Sequence, residues 1–331
     1  MTRWKLPRVY TVIILTGSIP VSVPVQALEP SVLDTVREEA SSADIAQQFV
    51  TLINFTALPG ISGATFMIDR DGDEPDYDIT KITLDGHYLQ PLSQLPFDLQ
   101  FEGGFGYSET DERAFGVKEI DGSMVATKTD RRIYSGRIGA GPSFDAYSDF
   151  RIVPMFHVAI SRFDNESGVG ELVDDGTNKS IADLLTLDWS IWALTYAGSL
   201  NIYFDRQFND NRIEVQISYA HAETEVVDAP STQLEVSGSN DIFTGLVRWT
   251  QPSGLQLLGQ PLLWNIFATG TVLAGDGSSA LGFDHFAELG AGLDLDLRDK
   301  DYAFVEAIRL RASGIFGANV LGWQLGTGLR F

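Results

Sequence analysis

Residues 320–331, which end the chain, read VLGWQLGTGLRF. Apolar residues and one threonine take every second position, namely Leu321, Trp323, Leu325, Thr327, Leu329 and Phe331. Glycine, glutamine or arginine fills the positions between them. A period of two places the two sets on opposite faces of an extended strand. The segment therefore predicts a strand with one apolar and one small or polar face, ending on Phe331.

The same alternation recurs upstream, for example over residues 97–107, 213–220 and 283–296. These segments have about ten residues or more, which is the length that a tilted strand needs to cross a bilayer. No run of about 18 apolar residues follows the N-terminal segment, so helical spans are not expected. The pattern predicts an all-β fold, a transmembrane antiparallel β-barrel, and the alternative is a soluble β-sandwich or a secreted β-helix.

The alternation predicts about twelve strands, and counts of ten and fourteen stay open. They fall near 63–69, 79–89, 97–108, 132–142, 147–161, 187–206, 212–224, 240–251, 261–274, 282–296, 301–312 and 320–331. In bacterial barrels the connections on the outer side are the longer ones. The segments after odd-numbered strands include the long ones 109–131 and 162–186. They are therefore predicted to be outer loops.

The N-terminal residues have the features of a secretory signal peptide. Arg3, Lys5 and Arg8 precede an apolar run over residues 9–15, and Ala27 offers a cleavage site. The predicted organisation is a signal peptide over 1–27, a helical segment over 28–60 and an outer-membrane barrel over 61–331. The expected location is the outer membrane of a Gram-negative bacterium.

The segment before the first strand is predicted to be helical. Ile45, Phe49, Leu52 and Ile53 lie at i, i+4, i+7 and i+8, which is one helix face, and Pro59 ends the pattern. An apolar face must be covered by the barrel lumen, by the periplasmic mouth or by a partner. A helix inside the lumen would block conduction.

The composition limits the partners. The net charge is −22, and loss of a signal with three basic and no acidic residues lowers it to −25. Such a surface repels phosphate backbones, so nucleic acid is not an expected partner. Outer-membrane lipid and lipopolysaccharide are the expected partners instead. The chain has no cysteine, which excludes disulfides and thiolate metal sites.

No catalytic residue, metal site or cofactor is predicted. The four histidines are His87, His157, His221 and His285, and no two of them have the i, i+4 spacing of a helical metal site. No G-x-S-x-G nucleophile motif is present. A barrel enzyme acting on lipid or peptide stays a third hypothesis, after a structural protein and a channel.

Charged residues occupy the polar phase of the last strands, where they would face the lumen. They are Glu288, Asp294, Asp296, Arg309, Arg311 and Arg330. A short turn at 297–300 would place residue 288 opposite about residue 310. Two interpretations stay open: a dry lumen of paired charges and a wet, charged pore.

A helix leading into about twelve strands with a terminal aromatic resembles the translocator domain of autotransporters. The chain looks like a solitary barrel of that type without a passenger. The resemblance implies a helix in the pore and recognition of Trp323, Leu325, Leu329 and Phe331 by the barrel-assembly machinery. The family's helix cleavage motif has no clear match, since Asn54 stands alone. Fold does not determine function, so this resemblance is an analogy.

Overall fold

The computed structural model describes residues 50, 52–54, 56, 63–68, 77–112, 116–120, 123–174, 179–230, 232–275, 283–297 and 307–330. Within them lie thirteen strands and a short 3-10 turn at Thr232–Leu234. The strands are β1 Gly63–Ile68, β2 Tyr77–Gln90, β3 Asp98–Glu112, β4 Gly116–Ile120, β5 Ser123–Tyr147, β6 Phe150–Asp174, β7 Lys179–Phe208, β8 Asn211–Asp228, β9 Ser237–Leu257, β10 Gln260–Gly275, β11 His285–Asp296, β12 Ala307–Gly317 and β13 Val320–Arg330.

The strands close into an antiparallel barrel. Each pairs with its neighbours in chain order, and β1 pairs with both β2 and β13. The strand β4 pairs with the outer part of β5 only, while β3 pairs directly with the rest of β5. Twelve of the described strands therefore form the wall, which confirms the predicted all-β barrel and its strand number.

The period of two separates the two faces of the wall. Phe105 and Leu325 point outward and are more than half exposed, whereas Gln100 and Ser135 point inward and are buried. Outward apolar residues can contact lipid, and inward polar residues must find partners in the lumen. Trp323 also points outward, as the alternation of the last strand predicts.

Two segments differ from the prediction. Residues 109–131 and 162–186 are predicted as outer loops, but most of their described residues extend β3, β5, β6 and β7 or form β4. Beyond the membrane both faces of a strand meet water, so backbone pairing can continue without apolar alternation. The prediction that 187–206 belongs to one long strand is confirmed, because β7 has 30 residues.

The predicted N-terminal helix is described only at its end. Residues 50, 52–54 and 56 are helical, and the side chains of Leu52 and Ile53 are buried. The predicted signal peptide, Ile45 and Phe49 lie outside the described residues. Among the residues that the structure describes, no helix is long and apolar enough to cross a membrane.

Candidate functional site in the barrel lumen

The outer half of the lumen holds a continuous apolar cluster, which we call the mouth core. Most members are lumen-facing side chains near the outer ends of the wall strands, where barrel closure brings them to one level. At most 6% of any member is exposed. The mouth core comprises Leu52, Ile53, Ala64, Phe66, Ile68, Tyr77, Ile79, Ile133, Phe163, Ile191, Ala193, Val226, Leu234, Leu273, Phe283, Phe286, Ile315 and Val320.

Three aromatic rings lie together in the mouth core. The ring centroid of Phe66 is 6.2 Å from that of Phe283 and 5.8 Å from that of Phe286. Phe283 precedes β11, and its neighbour Asp284 accepts a 2.7 Å hydrogen bond from the Leu273 backbone N–H. This bond ties the segment before β11 to the wall, so that Phe283 is held within the cluster.

The end of the N-terminal helix contacts two lumen-facing strands. The hydroxyls of Thr56 and of Ser108 on β3 are 2.7 Å apart, and Thr224 on β8 donates a 2.5 Å hydrogen bond to Asn54 Oδ1. Leu52 and Ile53 belong to the mouth core. A Cβ on Gly106 would come within 2.6 Å of the Thr56 carbonyl oxygen, so glycine permits this close approach.

Charged side chains dominate one wall of the inner half. Glu214 on β8 lies 3.5 Å from Arg212, 3.3 Å from Arg248 and 3.5 Å from Arg309. Arg309 also donates from Nε to Asp294 at 3.1 Å. Each of these charges has an opposite charge within reach, as burial of ions requires.

A second polar group occupies the wall formed by β2, β3, β5, β6 and β7. Arg137 donates a 2.6 Å hydrogen bond to Asp85, and Lys81 nearby is almost fully buried. His157 Nε2 lies 3.0 Å from the Ser199 hydroxyl, which itself accepts from Asn201. Among the described residues, no carboxylate bonds the other ring nitrogen of His157, so this histidine–serine pair has no third member of a hydrolytic triad there.

The predicted lumen charges are only partly placed as expected. Asp294 is directly opposite Arg309, but Glu288 is opposite Ile315 and not about residue 310. The turn predicted at 297–300 does not fit this register, because Asp296 pairs with Ala307. Glu288 accepts a 2.5 Å hydrogen bond from Ser313 and also interacts electrostatically with Arg311, one of the two arginines expected near it.

Three predicted lumen charges remain to be placed. Asp296 and Arg311 lie on β11 and β12, and the side chain of Arg330 is outside the described residues. Sequence reasoning missed Glu214 and Arg248, although both lie at lumen positions of alternating strands.

The histidines do not form one site. His221 on β8 contacts Asp241 on β9 at 2.9 Å, and His285, the first residue of β11, contacts the preceding Asp284 at 2.5 Å. The hydrogen bond from His285 lowers the pKa of Asp284 below its usual value. Within the described part of the chain, no group of three or more histidine and carboxylate side chains could hold a metal ion.

Solved structures show which fold this barrel has. The transport unit of the autotransporter AIDA-I from Escherichia coli matches with a TM-score of 0.53 and 11% identity, over 88% of this chain and 99% of that one. The chain has the autotransporter-barrel fold. The identity is low, so the likeness concerns the fold alone.

Two further autotransporter barrels resemble the chain less well. The translocator domain of NalP from Neisseria meningitidis has a TM-score of 0.48 at 13% identity, covering 89% of this chain and 98% of that one. The β-domain of the Bordetella autotransporter BrkA has 0.46 at 15%, covering 81% and 98%. No protein-family model matches the sequence, and no curated protein matches it.

Proposed function

We propose that this protein is an autotransporter-type barrel of the Gram-negative outer membrane whose lumen is closed by its own N-terminal helix and mouth core. Its role would be structural or surface-interacting and not enzymatic. The observation that carries the proposal is the apolar cluster that joins Leu52 and Ile53 of the helix to the barrel wall. The autotransporter-barrel fold supports the location.

We infer closure of the lumen to ions from the side chains that line its outer and inner halves. Ions crossing a lumen need water or polar groups throughout, because an uncompensated charge in an apolar region is costly. Among the described residues, the side chains that make up the mouth core are apolar apart from the Tyr77 hydroxyl. The inner half is polar, but its charges are paired with one another, as in the contacts of Glu214 and Asp294.

A channel for small solutes or ions is the second candidate. The charged inner half favours it, since a wet pore needs polar lining. Conduction would then require the mouth core to separate and the helix to leave its contacts with β3 and β8. The two candidates therefore differ in whether the resting barrel conducts.

We also propose that the last strand carries the recognition signal for the barrel-assembly machinery. Trp323 and Leu325 lie on its outward face, which an assembly factor could contact before lipid does. Leu329 and Phe331 continue the same alternation in the sequence. Lipopolysaccharide and other outer-membrane lipids would surround the finished wall.

A designed disulfide tests whether the helix occupies the lumen. The natural chain has no cysteine, so Thr56→Cys with Ser108→Cys introduces one pair only. We expect a disulfide to form in the folded full-length protein, because the two hydroxyls are 2.7 Å apart. The matched control combines Thr56→Cys with Ser143→Cys, since Ser143 is buried on β5 opposite Asp98, at the other end of β3. Equal cross-linking of both pairs would contradict the proposed position.

Conductance of the same proteins tests closure. We expect planar bilayers that contain the full-length double-cysteine variant to show no steady channels. This result should hold both when the cross-link between positions 56 and 108 is formed and when it is reduced. Steady conductance that the cross-link leaves unchanged would refute closure by the helix. Steady conductance that the cross-link abolishes would instead support a gated channel.

A further inference from the structure

One outward row of side chains crosses four strands of the wall at the same level. Tyr107 on β3 is directly opposite Tyr134 on β5, which is opposite Arg162 on β6, which is opposite Trp192 on β7. The ring centroids of the two tyrosines are 5.2 Å apart. The row thus consists of three aromatic residues and a single cation, Arg162.

The rows on either side of it have opposite character. The next outward-facing row towards the periplasm, two residues along each strand, is apolar or small: Phe105, Gly136, Ile160 and Leu194. The next row towards the outside is charged or polar: Glu109, Arg132, Asp164 and Ser190. A change from apolar to charged residues across an aromatic row is typical of the edge of the hydrocarbon layer. Arg162 therefore lies at the level of the lipid headgroups of the outer leaflet.

The guanidinium of Arg162 is held in place at one side only. Its Nε donates to Asp164 at 2.8 Å, and its carbon lies 6.0 Å from the ring centroid of Trp192. Among the described residues, neither of its terminal amino groups donates to a protein acceptor. The side chain is 48% exposed, so these groups are open to a ligand from the membrane.

Arg132 lies beside it on the neighbouring strand. It is directly opposite Asp164, which makes it a diagonal neighbour of Arg162, and such neighbours are about 7–8 Å apart. Glu109 and Glu166 accept from Arg132 at 3.2 and 3.0 Å. Glu109, Asp164 and Glu166 supply three negative charges against two guanidiniums, so the local net charge is −1. An anion would therefore be recognised by directed N–H donors and not by net charge.

We propose that Arg162, assisted by Arg132, binds a phosphate on the headgroup of a phosphorylated glycolipid in the outer leaflet. The planar guanidinium presents two parallel N–H donors, which match phosphate oxygens. The aromatic rings of Tyr134 and Trp192 would contact the upper part of the lipid chains. The inference rests on the proposed outer-membrane location and adds a specific lipid site to it.

The chain supplies a matched control at the opposite end of the wall. Arg206, near the inner end of β7, lies 4.8 Å from the ring centroid of Phe208 and 3.7 Å from Asp149. Its side chain is 52% exposed against 48% for Arg162, and it too has an aromatic neighbour and a carboxylate partner, but it faces the inner leaflet. The Arg206→Gln and Arg162→Gln variants therefore remove the same chemistry at two different depths.

Native mass spectrometry of the full-length protein tests the site. The probes are a bisphosphorylated lipid A and the same lipid without phosphates, with inorganic phosphate as a third ligand. We expect the wild type to bind the phosphorylated lipid about tenfold more tightly than the dephosphorylated one. Arg162→Gln should abolish this preference, Arg132→Gln should reduce it, and Arg206→Gln should leave it intact.

Three results would overturn the proposal. The first is equal binding of both lipids by the wild type. The second is an equal loss of the preference for the phosphorylated lipid in Arg162→Gln and Arg206→Gln. The third is displacement of the lipid by inorganic phosphate alone. Circular dichroism and insertion into vesicles check that each variant is folded. A wild-type chain that fails to insert would refute the proposed location, whereas an inserted chain without phosphate preference would refute the lipid site alone.

Discussion

The mouth core makes a quantitative prediction for Phe66→Ala. Phe66 is fully buried in the lumen and packs against the rings of Phe283 and Phe286, which also contact each other. Truncation loses the transfer free energy of the ring and also leaves a cavity that rigid strands cannot fill. The free energy of unfolding should therefore fall by about 3–5 kcal/mol.

Phe105→Ala is the matched control, because its ring is 52% exposed on the outward face. It loses a comparable transfer free energy, about 1.5–3 kcal/mol, but lipid chains can occupy the vacated space. The difference between the losses in unfolding free energy of the two variants measures the contribution of the cavity within the mouth core. We expect Phe66→Ala to be the more destabilising by at least about 1 kcal/mol.

Reversible guanidinium unfolding in lipid vesicles, followed by tryptophan fluorescence, gives both values under one condition. A loss for Phe66→Ala no greater than that for Phe105→Ala would show that water already fills the space around Phe66. The mouth core would then be a wet vestibule, and the argument for a closed lumen would fail.

Three further predictions concern the helix, the inner half and assembly. Gly106→Ala should expose residues 28–59 to added protease, because the new Cβ would clash with the Thr56 carbonyl oxygen of the helix. Gly136→Ala is the control and should not, since no atom lies within 4 Å of a Cβ at position 136. Asp294→Ala should lower the free energy of unfolding by about 2 kcal/mol in the same vesicle assay, because Arg309 loses a charged hydrogen bond. Deletion of Phe331 should reduce the yield of folded barrel in the outer membrane, measured by heat-modifiable migration in electrophoresis. Normal yield would argue against an assembly signal at the C-terminus.

The wall of the barrel was predictable because its information is local. Alternation at every second residue states directly which side chains share a face, as in Phe101, Phe105 and Tyr107 of β3. Strand length then distinguishes a membrane crossing from a shorter sandwich strand. The resemblance to autotransporter barrels was drawn from a helix leading into about twelve strands and from the terminal aromatic, and the fold of the barrel confirms it.

Register between strands was less predictable. Glu288 was expected opposite about residue 310 and lies opposite Ile315, because the two strands pair with Asp296 opposite Ala307, a register that the alternation within either strand does not indicate. The outer extensions of β5, β6 and β7 were expected as loops for a related reason. Strand pairing in water depends on backbone hydrogen bonds, which leave no hydropathy pattern in the sequence.

The sequence by itself determined the barrel, the approximate number of its strands, and which face of most strands meets lipid. Only the tertiary structure decided that the outer half of the lumen is apolar. In the sequence, Phe286 and Ile315 are single apolar residues at polar-phase positions of separate strands, whereas Phe66 shares its phase with Ala64 and Ile68 on a short strand. None of these strands by itself indicates a cluster. Barrel closure places strand ends that are distant in the chain at one level, and burial there depends on all of them together. A periodicity measured along one strand carries no information about that shared level.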